Sequence, residues 1–122
     1  IEKHRDKSND FLFCPMLDAR RMEVFTAVYD ADMGETLAPC SMILEETSFT
    51  YELQTKQVLF FGSGSKKWQA VCNHPNAVFA EIVYTATDLA VLSQDRFLKR
   101  TFTDIAYSEP LYVKEFYTVK KP

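Results

Sequence analysis

The sequence is poor in the residues that most often carry chemistry. It holds 2 histidines in 122 residues, and His4 and His74 stand seventy positions apart, so the paired imidazoles of a helix-borne zinc site are missing. Its 3 cysteines, Cys14, Cys40 and Cys72, are an odd number spread about thirty residues apart, without the close pairing of zinc sites or disulfide frameworks. A reducing, cytoplasmic setting is the expectation, with Cys14 and Cys40 serving as small core residues. Glycine is scarce too, and Gly62-Ser63-Gly64-Ser65 completes neither a Walker lysine pattern nor GxGxxG. No run approaches the roughly eighteen apolar residues of a membrane span. The opening Ile1-Glu2-Lys3-His4-Arg5-Asp6-Lys7 lacks the apolar core of a signal peptide. Basic residues do not dominate either: 14 Lys plus Arg face 17 Asp plus Glu, a net charge of -3, which excludes a broad positive field for nucleic acid.

What is present is an ordinary globular composition, 47% hydrophobic and 25% charged, of the size of one domain. Residues 1–10 form a polar N-terminal segment, and residues 11–122 are expected to form a single domain. Ile1 in place of methionine points to a piece of a longer product.

Phe11 to Leu17 is a continuous apolar run suited to a strand buried on both faces. After the polar break Asp18-Ala19-Arg20-Arg21, Glu23 to Tyr29 is rich in β-branched and aromatic residues and predicts a second, antiparallel strand. Asp30 to Gly34 carries turn residues, and Thr36 to Met42 predicts a third strand whose Pro39 assigns it to an edge. Thr47 or Ser48 is expected to cap a short helix ending near Gln54, before a buried strand over Val58 to Phe61. Ser65 is expected to cap a helix through Cys72, ended by Asn73-His74-Pro75-Asn76. A strand over Val78 to Tyr84 follows. Thr85 with Asp88 makes a capping-box start for a helix to about Arg100, with Leu89, Leu92, Ser93 and Phe97 on its inner face. An extended tail around Ser108 to Lys114 closes the order. The fold class is α/β: a mixed five-stranded sheet with flanking helices in the order βββαβαβα, that of ribonuclease H-like domains and of each half of actin-like ATPases.

The run Asp18-Ala19-Arg20-Arg21-Met22-Glu23-Val24-Phe25 is similar to the "DARRGEVY" hairpin that opens the second half of TsaB proteins, with Met22 and Phe25 replacing glycine and tyrosine. Near the other end, Glu109-Pro110-Leu111-Tyr112-Val113-Lys114 resembles the family's "EPLYLR". Phe60-Phe61-Gly62-Ser63-Gly64-Ser65 departs from the commoner "GDG" pattern between them. Asp18, Arg20, Arg21, Glu23, Pro110 and Tyr112 are the family-motif residues. The resemblance implies an actin-like half of a glycoprotease-like but catalytically silent protein, without cofactor or metal. It further implies support of TsaD, which transfers a threonylcarbamoyl group to adenosine 37 of tRNA, with TsaE joining the pair. The family's main partner-binding helices lie in the N-terminal half, so tRNA would be met indirectly. A homodimer is the alternative assembly, and an actin-like ATP-binding or glycoprotease-like protein whose active cleft needs the other half is the alternative function.

Gly62, Gly64 and Ser65 are the candidates for a nucleotide contact, because a helix start after a glycine turn can present N–H groups to phosphate. The competing reading is a structural turn. A two-metal nuclease needs converging carboxylates; Asp18 stands at the end of the first strand, but Val58 to Phe61 bring no acid beside it. Most of the aromatic residues Phe49, Tyr51, Trp68, Tyr107, Tyr112, Phe116 and Tyr117 are assigned to core or tail packing rather than base stacking. Lys3, Arg5, Lys7, Lys114, Lys120 and Lys121 would make a modest basic surface for tRNA if the termini meet.

Overall fold

A computed structural model describes residues 11–114. The chain divides into two compact units, Ile1–Ile82 with Val113–Pro122, and Val83–Tyr112.

The first unit is built on β1 (Phe11–Asp18), β2 (Glu23–Tyr29), β3 (Glu35–Ile43), β4 (Gln57–Phe61) and β5 (Ala77–Phe79), in the spatial order β3-β2-β1-β4-β5. The two hairpins pair antiparallel, while β1 with β4 and β4 with β5 pair parallel. Helices α1 (Thr50–Thr55) and α2 (Ser65–Gln69) make the crossovers before β4 and β5. This is the mixed five-stranded α/β sheet that the sequence predicts, in the same element order.

Both apolar runs occupy the middle of the sheet, which explains why they do not alternate in polarity. On one face Leu12, Cys14 and Met16 of β1 and Val58 and Phe60 of β4 join Val24, Val28, Leu44, Phe49, Leu53 and Trp68 in the main core. The opposite side chains, Phe13 and Leu59, form a second cluster with Ala31. Phe49, Phe60 and Trp68 meet edge to face with centroids 5.3, 5.6 and 6.0 Å apart, an arrangement favoured by the aromatic quadrupole. Thr26 is buried but satisfied: its hydroxyl donates to the Pro15 carbonyl at 2.8 Å. Having spent its one proton there, it accepts from the Cys14 thiol at 3.2 Å.

The edge position expected from Pro39 is correct. Between the pairs Thr26↔Cys40 and Val28↔Leu37, β3 carries one residue more than β2. Pro39 therefore lies in a bulge on an outer strand, where its missing N–H costs nothing. The turn before β3 is held by Asp30, whose carboxylate accepts the N–H groups of Asp32 and Gly34 at 2.9 and 2.8 Å.

Three local expectations are corrected. Neither Thr47 nor Ser48 caps α1. Ser48 Oγ instead accepts the Glu45 N–H at 2.9 Å, and the N-cap is Phe49 at φ 59°, a left-handed conformation tolerated because it delivers the ring into the core. Ser65 is the first residue of α2 and not its cap, which is Gly64, and the helix stops at Gln69. The strand expected over Val78 to Tyr84 is only Ala77–Phe79, because β4 ends at Phe61 and offers no backbone beyond the Ala80 N–H to Phe60 carbonyl bond of 3.1 Å.

The second unit contains α3 (Ala86–Leu98), which begins with the expected Thr85–Asp88 capping box. Its assigned inner face is another correction: Ser93 is exposed, as are Leu89, Leu92 and Phe97, and no residue of the helix is buried. Phe97 packs edge to face on Phe102 at 5.8 Å. The capping signal is local and therefore readable, whereas burial of one helix face depends on what lies opposite it.

Candidate functional site

The carboxyl ends of β1 and β4 lie side by side, with Pro15 opposite Phe61. Parallel α/β sheets commonly place their sites at such ends. Here the position is filled from within the chain.

Gly62, at φ +98°, turns the chain back across β1, and a Cβ on it would overlap the Met16 carbonyl oxygen. The same carbonyl accepts the Gly64 N–H at 3.0 Å, and the Gly62 carbonyl accepts the Ser65 N–H at 3.1 Å. Ser65 Oγ donates to the Gly62 carbonyl at 2.8 Å, and Ser63 Oγ accepts the Asp18 N–H at 2.9 Å. The backbone N–H groups of the candidate nucleotide contacts Gly64 and Ser65 are thus engaged within the fold.

Beside the turn, Lys67 reaches over the hairpin. Its Nζ lies 2.6 Å from Asp18 Oδ1 and donates to the carbonyls of Arg21 and Glu23 at 2.6 Å each. These three short contacts use the three protons of the ammonium; the Ala19 carbonyl at 3.3 Å shares one of them. The carbonyls point inward because Arg21 adopts φ 55° and the Arg20 and Glu23 carbonyls accept the Glu23 and Ala19 N–H groups. A second lysine closes on the same loop: Lys114 Nζ donates to both oxygens of Glu23 at 2.9 and 2.8 Å.

Of the family-motif residues, Asp18, Arg21 and Glu23 are gathered around Lys67, and Arg20 is exposed in the hairpin turn. Pro110 and Tyr112 belong to the second unit and are exposed. Asp18 meets an ammonium, and the β4 residues opposite Cys14 and Pro15 are Phe60 and Phe61, so the neighbouring strand supplies no second carboxylate. Sequence reading missed Lys67. Its signal is a lysine in the first turns of a helix, where the macrodipole disfavours a cation unless another partner holds it. Lys114, read as part of a basic surface, has its charge matched by Glu23; Lys3, Arg5, Lys7, Lys120 and Lys121 lie outside the described residues, as do His4, Phe116 and Tyr117.

Among the aromatics, Trp68 and Phe49 are core residues, while Tyr51 and the tail residues Tyr107 and Tyr112 are exposed. His74 is the turn residue the sequence suggests, its Nδ1 accepting the Asn76 N–H at 3.1 Å. Among the described residues no three His, Cys, Asp or Glu side chains gather as metal ligands do, and no helix is long and apolar enough to cross a membrane. Burial pushes the Cys14 thiol up to about 12 and also raises that of Cys40.

The geometry defines an α/β domain whose sheet-end position is occupied by an internal clamp. The fold is shared with a solved structure, the "crystal structure of an uncharacterized protein with similarity to peptidase YeaZ from Pseudomonas aeruginosa". The two align with a TM-score of 0.65 and 17% sequence identity, over 93% of this chain and 53% of that one. The chain therefore spans about half the length of the structure it matches. No family model and no curated protein matches the sequence.

Proposed function

We propose that this chain is the structural half of a TsaB-like subunit. It supports TsaD in synthesis of threonylcarbamoyladenosine in tRNA, as a dimerisation scaffold without catalysis of its own. The work is cytoplasmic, TsaE joins the assembly, and tRNA is contacted through partners. The observation that carries the reading is the clamp. The hairpin that resembles TsaB proteins and the lysine ending the second resembling segment meet at Glu23, 91 residues apart in sequence, and their charges are spent on one another. Residues used this way hold the hairpin in place and are not free to act on a substrate. The likeness in fold to a protein described as similar to peptidase YeaZ, a TsaB protein, supports the same reading. The peptidase word in that description gains no support from a clamp in which Asp18 is tied to an ammonium.

The test is a pull-down with purified TsaD from the same cells, using the native gene product and, separately, this 122-residue chain. Capture of TsaD by the native product supports the scaffold; capture by neither removes the functional assignment. Thermal stabilisation of the native product by ATP alone, with none from TsaD, would favour an ATP-binding protein instead.

A further inference from the structure

In the second unit, Val83–Tyr112, the large apolar side chains face solvent. Leu89, Leu92 and Phe97 of α3 are exposed, as are Phe102, Ile105 and Leu111 beyond it, and α3 buries no residue. Monomeric proteins rarely leave so much apolar surface uncovered, and a patch of this kind marks an interaction site. The scaffold reading makes no use of it.

The surface of α3 has an ordered side. At 3.6 residues per turn, Ala86, Leu89, Ala90, Ser93 and Phe97 share an arc about 100° wide. Phe97 carries that arc past the helix end by packing edge to face on Phe102. Ser93 stands near the middle of both the arc and the helix, which runs Ala86–Leu98. Its small side chain lets a second helix approach closely, while Leu89 and Phe97, four residues to either side, supply the bulk.

Charge selects the helix that fits. Asp88 lies in the first turn of α3, Arg96 lies in the last, and Lys99 is the C-cap. By the same helical spacing Asp88, Leu92 and Lys99 follow one margin of the apolar arc, where Lys99 also pairs with Asp95 at 2.9 Å. A second α3 running antiparallel, related by a two-fold axis at Ser93, brings this margin of each helix against the same margin of the other. Asp88 then faces the opposite Lys99 and Leu89 the opposite Phe97, each twice, and the two helix dipoles oppose. A parallel copy would bring like charges together at both ends. We propose that α3 is a self-association surface, through which two copies of this chain pair as antiparallel helices crossing at Ser93.

A helix of 13 residues is about 20 Å long, so the contact is small and the dimer reversible. Sedimentation equilibrium of the 122-residue chain, with no other protein present, tests the pairing independently of TsaD. Dimers are expected with a midpoint at about 10–100 μM. Leu89→Arg should leave a monomer at those concentrations. Lys99→Glu should weaken the dimer about fivefold or more by placing like charges opposite one another. Adding Asp88→Asn, whose amide oxygen can still accept the N-cap N–H, should bring the affinity of the Lys99→Glu variant back to within about threefold of the parent. Circular dichroism and Trp68 fluorescence check that each variant is folded. Mild oxidation supplies the geometry: Ser93→Cys should cross-link between chains at least about fivefold faster than Val91→Cys, whose side chain lies on the opposite side of the helix. A monomer at about 300 μM, a dimer that survives Leu89→Arg, equal cross-linking at the two positions, or no relief of Lys99→Glu by Asp88→Asn overturns the proposal.

Discussion

Replacing Lys67 with methionine keeps most of the aliphatic stem and removes the ammonium from its three close acceptors and from the Ala19 carbonyl. Hydrogen bonds to a charged group contribute about 1.5–3 kcal/mol each, but the Arg21 carbonyl belongs to an exposed turn residue and water can replace part of what it loses. The loss is therefore set near that of one fully buried bond, about 2–3 kcal/mol. The ion pair itself is a small share, because the Asp18 side chain is 57% exposed and such pairs are worth about 0–1 kcal/mol. Lys67→Met should thus destabilise the first unit several times more than Asp18→Asn. Urea unfolding followed by Trp68 fluorescence reads that unit directly. With a slope near 2 kcal/mol/M, the midpoint should fall by about 1 M for Lys67→Met and by under about 0.5 M for Asp18→Asn. Raising the salt should erase the Asp18 effect and leave most of the Lys67 effect. A Lys67→Met midpoint within about 0.3 M of the parent, or equal shifts for the two variants, would refute the clamp as a source of stability.

Gly62→Ala forces a side chain into the φ +98° region and against the Met16 carbonyl; a loss of about 3 kcal/mol or more in the same urea assay is expected, and a neutral result would mean the turn can reroute. Burial keeps the Cys14 thiol protonated up to about 12, so the folded protein holds that proton more tightly than the unfolded chain. Stability is then full below pH 9 and declines as pH rises towards 12, by up to about 1.4 kcal/mol per unit. The slope should become much shallower in Cys14→Ala, leaving the part that the raised Cys40 thiol contributes, and a thiol reagent at pH 8 should modify Cys72 and Cys40 before Cys14. Thr85→Ala removes the cap of a helix that buries no side chain, at a local cost of about 1 kcal/mol; far-UV circular dichroism should show lost helix with the Trp68 transition unmoved, and an unchanged spectrum would show that the cap is dispensable.

The legible parts of the fold were those whose cause is local. Apolar runs at Phe11 to Leu17 and Val58 to Phe61 marked the central strands because burial on both faces removes alternation. Pro39 marked the edge because a residue without an N–H cannot sit between two strands. Thr85 and Asp88 marked a helix start because the capping box lies within four residues. What sequence reading missed depends on distant partners. The α1 cap went to Phe49 because the core needs its ring, and β5 was cut short because β4 turns away at Gly62. At the candidate site, Asp18, Arg21 and Glu23 were named from a resemblance, but their shared partner Lys67 was not, since its one signal, a cation near a helix start, says that it needs a partner without saying where that partner lies.

The clamp also has a kinetic side. The β1–β2 hairpin is local and can form early, but the Lys67 bonds join residues 44 to 48 positions apart. The loop between them must close before the ammonium finds its carbonyls, and closure entropy is paid in advance of such contacts. Lys67 should therefore contribute little to the folding transition state and act as a late latch: its removal would leave the refolding rate nearly unchanged and speed the escape from the native state.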